Sequence, residues 1–148
     1  EIPVSEMKYG YRCSKTPENF IFIDGCFRGV SGVLSEIADR MNSIRVERES
    51  VQPLKTLTSG STFTNPPGYK AWELIDKAGC RGLVLGGAIV SEKHCNFFIN
   101  TGLATAADIE GLGIEVCRRV FENSGIHLEW EIQRIGIEIP LAERQEIL

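Results

Sequence analysis

The stretch from Thr105 to Gly125 constrains the fold of this chain more than any other. Thr105 stands where a helix N-cap belongs, and Asp108 falls in the first turn, where a carboxylate meets the positive end of the helix dipole. Ile109, Leu112, Val116 and Val120 then recur at spacings of three, four and four, and Gly125 ends the pattern. A helix with one apolar face needs a second layer to bury it. Short apolar runs precede it: Leu83-Val84-Leu85, punctuated by Gly86-Gly87, and Asn96-Phe97-Phe98-Ile99-Asn100. Further upstream, Ala71, Leu74, Ile75 and Ala78 form one face of a shorter helix, with Gly79 as its natural C-cap. Over His127 to Ile135, Leu128, Trp130 and Ile132 alternate with Glu129, Glu131 and Gln133, which predicts a half-buried strand. Helices packed on a small sheet follow, in an α+β or α/β arrangement.

The first third is organised differently. Phe20-Ile21-Phe22-Ile23, bounded by Asn19 and Asp24-Gly25, reads as a buried strand. Leu34, Ile37, Met41 and Ile44 share one helical face, with Ser31 as a candidate N-cap. The charged stretch 45–49 reads as solvated, and Pro53 breaks any continuing helix. Residues 52–60 look like a linker, so a domain boundary is placed there: 1–53, then 54–131, then a tail over 132–148. The chain begins at Glu1 without a Met and shows little apolar periodicity over its first fourteen residues, which reads as a stretch entered within a longer protein.

Composition narrows the function classes. With 148 residues, 43% of them hydrophobic, the chain can bury one ordinary core, or one core and a piece of another. A net charge of −4 argues against a general nucleic-acid binder. No run of about 18 apolar residues is present to span a membrane, and no signal segment opens the chain. Five cysteines, an odd number without a CxxC pair, suit a reduced, cytoplasmic setting with most of them acting as small buried hydrophobes. Their spacings with the histidines match no zinc pattern, so no metal is expected.

Polar residues in unexpected places mark candidate chemistry. Arg12, beside Tyr11, is either a surface ion-pair residue or an oxyanion clamp, the guanidinium being a permanently charged planar fork. Ser61, after Gly60 and before Asn65-Pro66-Pro67-Gly68, is either a turn cap or a hydroxyl presented on a rigid backbone. His94 and Cys95 are adjacent. Neighbours on a strand face opposite ways, so a nucleophile–base pair is not expected, and His94 reads as a hydrogen-bonded or ligand-contacting histidine. Glu131 is either a solvated carboxylate or, beside Ser61 in a cleft, a group that shares a proton.

The ordered series of YGYRCS, GSTFTNPPG, AGCRG, GGAIVSEKHCNF and LEWEI is more specific than its parts. From about Tyr11 to Gly136 the chain resembles the UDP-N-acetylenolpyruvoylglucosamine reductase (UDP-N-acetylmuramate dehydrogenase) family. The resemblance implies the end of a flavin-binding α+β domain over 1–53, then a small α/β substrate-binding domain over 54–131. The partner it implies is an N-terminal FAD-binding lobe of the same protein. Its implied cofactors are FAD and NADPH, and its implied substrate is UDP-N-acetylglucosamine enolpyruvate, reduced to UDP-N-acetylmuramate for peptidoglycan. Hydride from NADPH reaches C3 of the enolpyruvyl group by way of FAD, and a proton must reach C2. By that resemblance Ser61 is the proton donor, Arg12 neutralises developing charge beside the flavin, and Glu131 polarises the substrate carboxylate. Asn65 and His94 align with substrate-contacting positions. Thr64 stands where relatives commonly carry Lys, a departure bearing on substrate affinity. The absence of an insertion between Arg12 and Phe20 favours the shorter subtype. Two alternatives remain: a UDP-sugar-binding fragment inert without its flavin lobe, and a structural domain that lost activity. Keeping Arg12, Ser61 and Glu131 together counts against the second.

Overall fold

The computed structural model describes residues 1–17 and 20–136, and the chain divides into two compact units, Glu1–Ile37 and a second beginning at Ala38. In the first unit a single helical turn, α1 (Val4–Met7), ends at Lys8 with a left-handed φ of 44°. Met7 is buried, and its carbonyl accepts the Lys15 amide at 3.1 Å. Between these two residues, Gly10 and Cys13 exchange both backbone hydrogen bonds, at 2.9 and 3.4 Å, around a tight turn. Arg12 sits in that turn with φ at 56°.

Phe20–Phe22–Ile23 and their neighbour Ile21 do not form the expected strand. The run has no ladder or bridge partner, and Ile21 and Ile23 are 88% and 91% exposed. An apolar run favours burial, but a strand also needs a neighbour for its N–H and C=O groups. None stands beside it among the described residues. The helix expected after it is present as α2 (Leu34–Val51), which crosses from one unit into the other. It begins three residues beyond Ser31, with the Ile37 amide donating to Val33 at 3.1 Å, so Ser31 is not its cap. It continues through the charged stretch 45–49 and stops before Pro53. Its apolar face is uncovered, Leu34 being 82% exposed.

The second unit holds the core. A three-stranded sheet runs β1 (Val84–Leu85), β2 (Ala88–Val90), β3 (Phe98–Asn100), antiparallel throughout. The domain is therefore α+β rather than α/β. Gly86 and Gly87 make the two-residue β1–β2 hairpin loop, where Gly86 has a φ of 54°. Helix α3 (Ala71–Lys77) ends as expected, with Gly79 left-handed just beyond its C-cap Ala78.

Helix α4 (Ala106–Ser124) packs on β1, β2 and α3. Its first turn is closed by a capping box: the Asp108 amide donates to Thr105 Oγ1 at 3.1 Å, and the Thr105 amide to Asp108 Oδ2 at 2.9 Å. The same carboxylate accepts the Gly87 amide at 3.3 Å, which ties the helix to the hairpin loop. Leu112, Val116 and Val120 are wholly buried against Ala88, Val90 and Phe98. The paired residues Ile89 and Ile99 alternate away from that core. With Pro53 and Leu54 they line an open cleft of about 450 Å³.

The stretch 127–135 alternates in burial as expected at its start, with Leu128 buried and Glu129 exposed. It is not a strand. Its sheet-like pairing is a single bridge, Trp130 with Phe63. No helix of the described residues is long and apolar enough to cross a membrane. No group of three or more His, Cys, Asp or Glu among them is placed to hold a metal ion.

Candidate functional site

Ser61 opens a segment that threads between two others. Gly60, at a φ of 93°, turns the chain into it. On one side Ser61 bridges Phe97, and the Thr62 amide donates to the Asn96 carbonyl at 2.7 Å. On the other side the Thr62 carbonyl accepts the Glu131 amide at 2.9 Å and the Ile132 amide at 3.4 Å. The Thr64 amide donates to the Glu129 carbonyl at 2.9 Å. The backbone of Glu131 is thus bonded directly to the residue after Ser61, and the structure brings these two candidates onto adjoining segments. Both are half-buried.

Asn96 is the residue that sequence reasoning missed. Its carboxamide grips the main chain of Phe63 at both groups: Oδ1 accepts the Phe63 amide at 3.0 Å, and Nδ2 donates to the Phe63 carbonyl at 2.8 Å. Asn96 is only 5% exposed. The available signal was a polar side chain opening the apolar run Phe97-Phe98-Ile99, since a carboxamide carried into a core must find partners there. Thr62 is also buried, and its Oγ1 has no hydrogen-bond partner among the described residues.

Trp130 fixes the segment that carries Glu131. Its ring lies 4.9 Å from that of Phe63 and covers Gly113 of α4, where a Cβ would collide with the indole. The Arg134 guanidinium lies 5.0 Å from the same indole and reaches Glu110 at 2.5 Å.

The remaining candidates are placed as follows. Asn65 Oδ1 accepts the Ala71 amide at 2.9 Å, so it holds the start of α3 at the end of the Pro66-Pro67-Gly68 loop. His94 is half-buried and edge-on to Phe97, with ring centroids 4.8 Å apart. Its Nδ1 accepts the Asn96 amide at 3.3 Å, and burial pushes its pKa down, favouring the neutral ring. Cys95 faces elsewhere: its Sγ donates to Asp76 Oδ1 at 3.7 Å, and burial pushes the thiol up to about 11. His94 and Cys95 do not pair as base and nucleophile. Thr64 Oγ1 lies 3.4 Å from the Glu129 carbonyl. Arg12 belongs to the first unit, where it is exposed with its guanidinium 5.8 Å from the Tyr11 ring centre. The cleft beside Ile89 contains none of these residues; its lining carries the charged groups Glu49, Lys55, Glu92 and Lys93.

These features define a small α+β domain that presents a serine from a clamped backbone segment beside a carboxylate-bearing one. The family model described as the UDP-N-acetylenolpyruvoylglucosamine reductase C-terminal domain matches residues 52–135. The chain belongs to that family. It is similar to the UDP-N-acetylenolpyruvoylglucosamine reductase of Azorhizobium caulinodans, 59% identical over 136 residues, covering 92% of this chain and 44% of that protein. It is likewise similar to the enzyme of that name from Paramagnetospirillum magneticum, 60% identical over 132 residues, covering 89% of this chain and 43% of that protein. Among solved structures it matches the UDP-N-acetylenolpyruvylglucosamine reductase of Thermus caldophilus, with a TM-score of 0.72 and 36% identity, over 87% of this chain and 46% of that one. The chain thus spans less than half the length of the relatives it matches.

Proposed function

We propose that this chain is the C-terminal portion of an FAD- and NADPH-dependent reductase. Its reaction converts UDP-N-acetylglucosamine enolpyruvate to UDP-N-acetylmuramate, a cytoplasmic step of peptidoglycan precursor synthesis. In this reading 1–53 closes a flavin-binding domain whose N-terminal lobe lies elsewhere in the same protein, and 54–131 is the substrate domain. The observation that carries it is the shared bonding of Ser61 and Glu131 segments around Thr62, in a chain that belongs to the reductase family.

The chemistry assigns each residue a task. A flavin, when bound, would supply hydride to C3 of the enolpyruvyl group. Negative charge then gathers at C2 and on the substrate carboxylate. Ser61 gives its hydroxyl proton to C2. A hydroxyl is a weak acid, but it suffices toward so basic a carbon when held within hydrogen-bonding reach. Glu131 polarises the substrate carboxylate, and Arg12 neutralises the growing charge, since guanidinium cannot lose its proton. Asn65 and His94 contact substrate. The residue types fit a flavin dinucleotide in that Arg12 and Tyr11 are both exposed, with the guanidinium 5.8 Å from the ring centre, a cation and a flat ring of the kind that suits a cofactor with an anionic pyrophosphate and a planar ring system.

The test is steady-state NADPH oxidation by the full-length protein, dependent on the enolpyruvyl substrate. Ser61→Ala and Glu131→Gln should each lower kcat by roughly 10²–10⁴-fold. Turnover near wild type in both would refute the assignment. A second reading is favoured by the chain's coverage of under half its relatives: the isolated 148-residue chain binds UDP-sugar and catalyses nothing. Titration of that chain with FAD, followed in the visible spectrum, separates the two, because a tightly held yellow cofactor excludes the binding-only reading.

A further inference from the structure

We infer that Asn96 is a positioning residue for the proton transfer, setting through the Phe63 main chain the spacing between the Ser61 hydroxyl and the Glu131 carboxyl. This rests on the reading of Ser61 and Glu131 given above. In a regular sheet the amide and carbonyl of Phe63 would pair with a neighbouring strand. Here the Asn96 carboxamide takes both, at 3.0 and 2.8 Å, and so stands in for a peptide group. The partners fix its orientation, because an N–H requires Oδ1 and a carbonyl requires Nδ2.

The Asn96 main chain adds a third bond, from the Thr62 amide at 2.7 Å. Three bonds from one buried residue therefore hold 62–63. The opposite edge of the same two residues carries Glu131, through its amide at 2.9 Å to Thr62. Next along from Asn96, Phe97 bridges Ser61 itself. A displacement of the clamp would therefore move the donor and the carboxylate relative to each other. The His94 ring belongs to the same assembly, with Nδ1 accepting the Asn96 amide at 3.3 Å. Only a carboxamide both donates and accepts across this span. Aspartate keeps the acceptor but turns an oxygen toward the Phe63 carbonyl, whereas glutamine keeps both groups but shifts them by one methylene.

The experiment is single-turnover kinetics on the full-length flavoprotein carrying Asn96→Asp, Asn96→Gln, Ser61→Ala, and each Asn96 variant combined with Ser61→Ala. The oxidation of reduced flavin by the enolpyruvyl substrate should slow about ten- to hundredfold in whichever Asn96 variant retains a cooperative thermal transition. Its KM should stay within about twofold and its reduction by NADPH near wild type. In the Ser61→Ala background the same Asn96 change should cost nothing further, because residues that act as a unit are non-additive. Flavin oxidation at the wild-type rate in a folded Asn96 variant overturns the inference while leaving the Ser61 reading intact. So does an undiminished loss in the Ser61→Ala background, and so does the failure of both Asn96 variants to fold, which would make the residue structural. An unaffected Ser61→Ala protein would instead remove the reading on which the inference rests.

Discussion

At the scale of single residues, the Ser61 segment shows where local chemistry is legible and where it is not. Gly60, Ser61 and the Pro66-Pro67 pair mark a rigid loop from sequence alone, but the partner that makes the loop specific, Asn96, lies 33 residues from the Phe63 it grips. No local pattern announces such a pairing. Thr62 sharpens the contrast with its neighbour. Its hydroxyl is buried without a partner among the described residues, a burden of about 1–3 kcal/mol in typical proteins. Thr62→Val keeps the branched shape and removes that hydroxyl, so it should raise stability by about 1 kcal/mol in urea unfolding and leave substrate turnover near wild type. A loss of stability on that exchange would mean the hydroxyl has a partner in solution.

At the scale of elements, α4 was readable because its signals are local. Its cap, its first-turn carboxylate, its apolar spacing and its closing glycine all lie within 105–125. Gly113 is the exception, since its necessity is set by Trp130 packed over it from seventeen residues away. Gly113→Ala should drive the indole off the helix and cost about 1–3 kcal/mol by thermal or chemical denaturation, despite alanine's better helix propensity. A neutral or stabilising result would contradict the packing described.

The solvent face of α4 carries a pH-dependent element. Glu115 accepts from Arg118 at 2.7 Å and from Arg119 at 2.7 Å, and these bonds hold its carboxyl down at about 2. Because the folded value is depressed, this contribution is in place above the unfolded pKa of about 4.5 and is lost as pH falls through about 2. The group is exposed, so solvent and salt screen the effect. Thermal midpoints followed by circular dichroism from pH 5 to 2 should fall less steeply in Glu115→Gln than in the parent.

At the scale of the whole molecule, helices packed on a small sheet were legible, whereas the α/β character expected of 54–131 gave way to an antiparallel α+β sheet and two expected strands were not found. Phe20–Ile23 is apolar enough for a strand but has no neighbour among the described residues, and pattern cannot report an absent neighbour. The stretch 127–135 has the right alternation near Leu128, yet it joins the fold through individual bonds to 62–64 and one bridge at Trp130. The expected tail over 132–148 lies outside the described residues beyond 136. The family was legible because its motifs run in order along nearly the whole chain, and the match to the C-terminal domain over 52–135 agrees. The central claim is that Ser61 delivers the proton to C2. It is tested most directly by loading the full-length flavoprotein with NADPH, mixing it with UDP-N-acetylglucosamine enolpyruvate, and following flavin absorbance in a stopped flow. In Ser61→Ala, reduction by NADPH should proceed near the wild-type rate, while reoxidation by the enolpyruvyl substrate slows by at least about 10²-fold. Reoxidation at the wild-type rate would contradict the account.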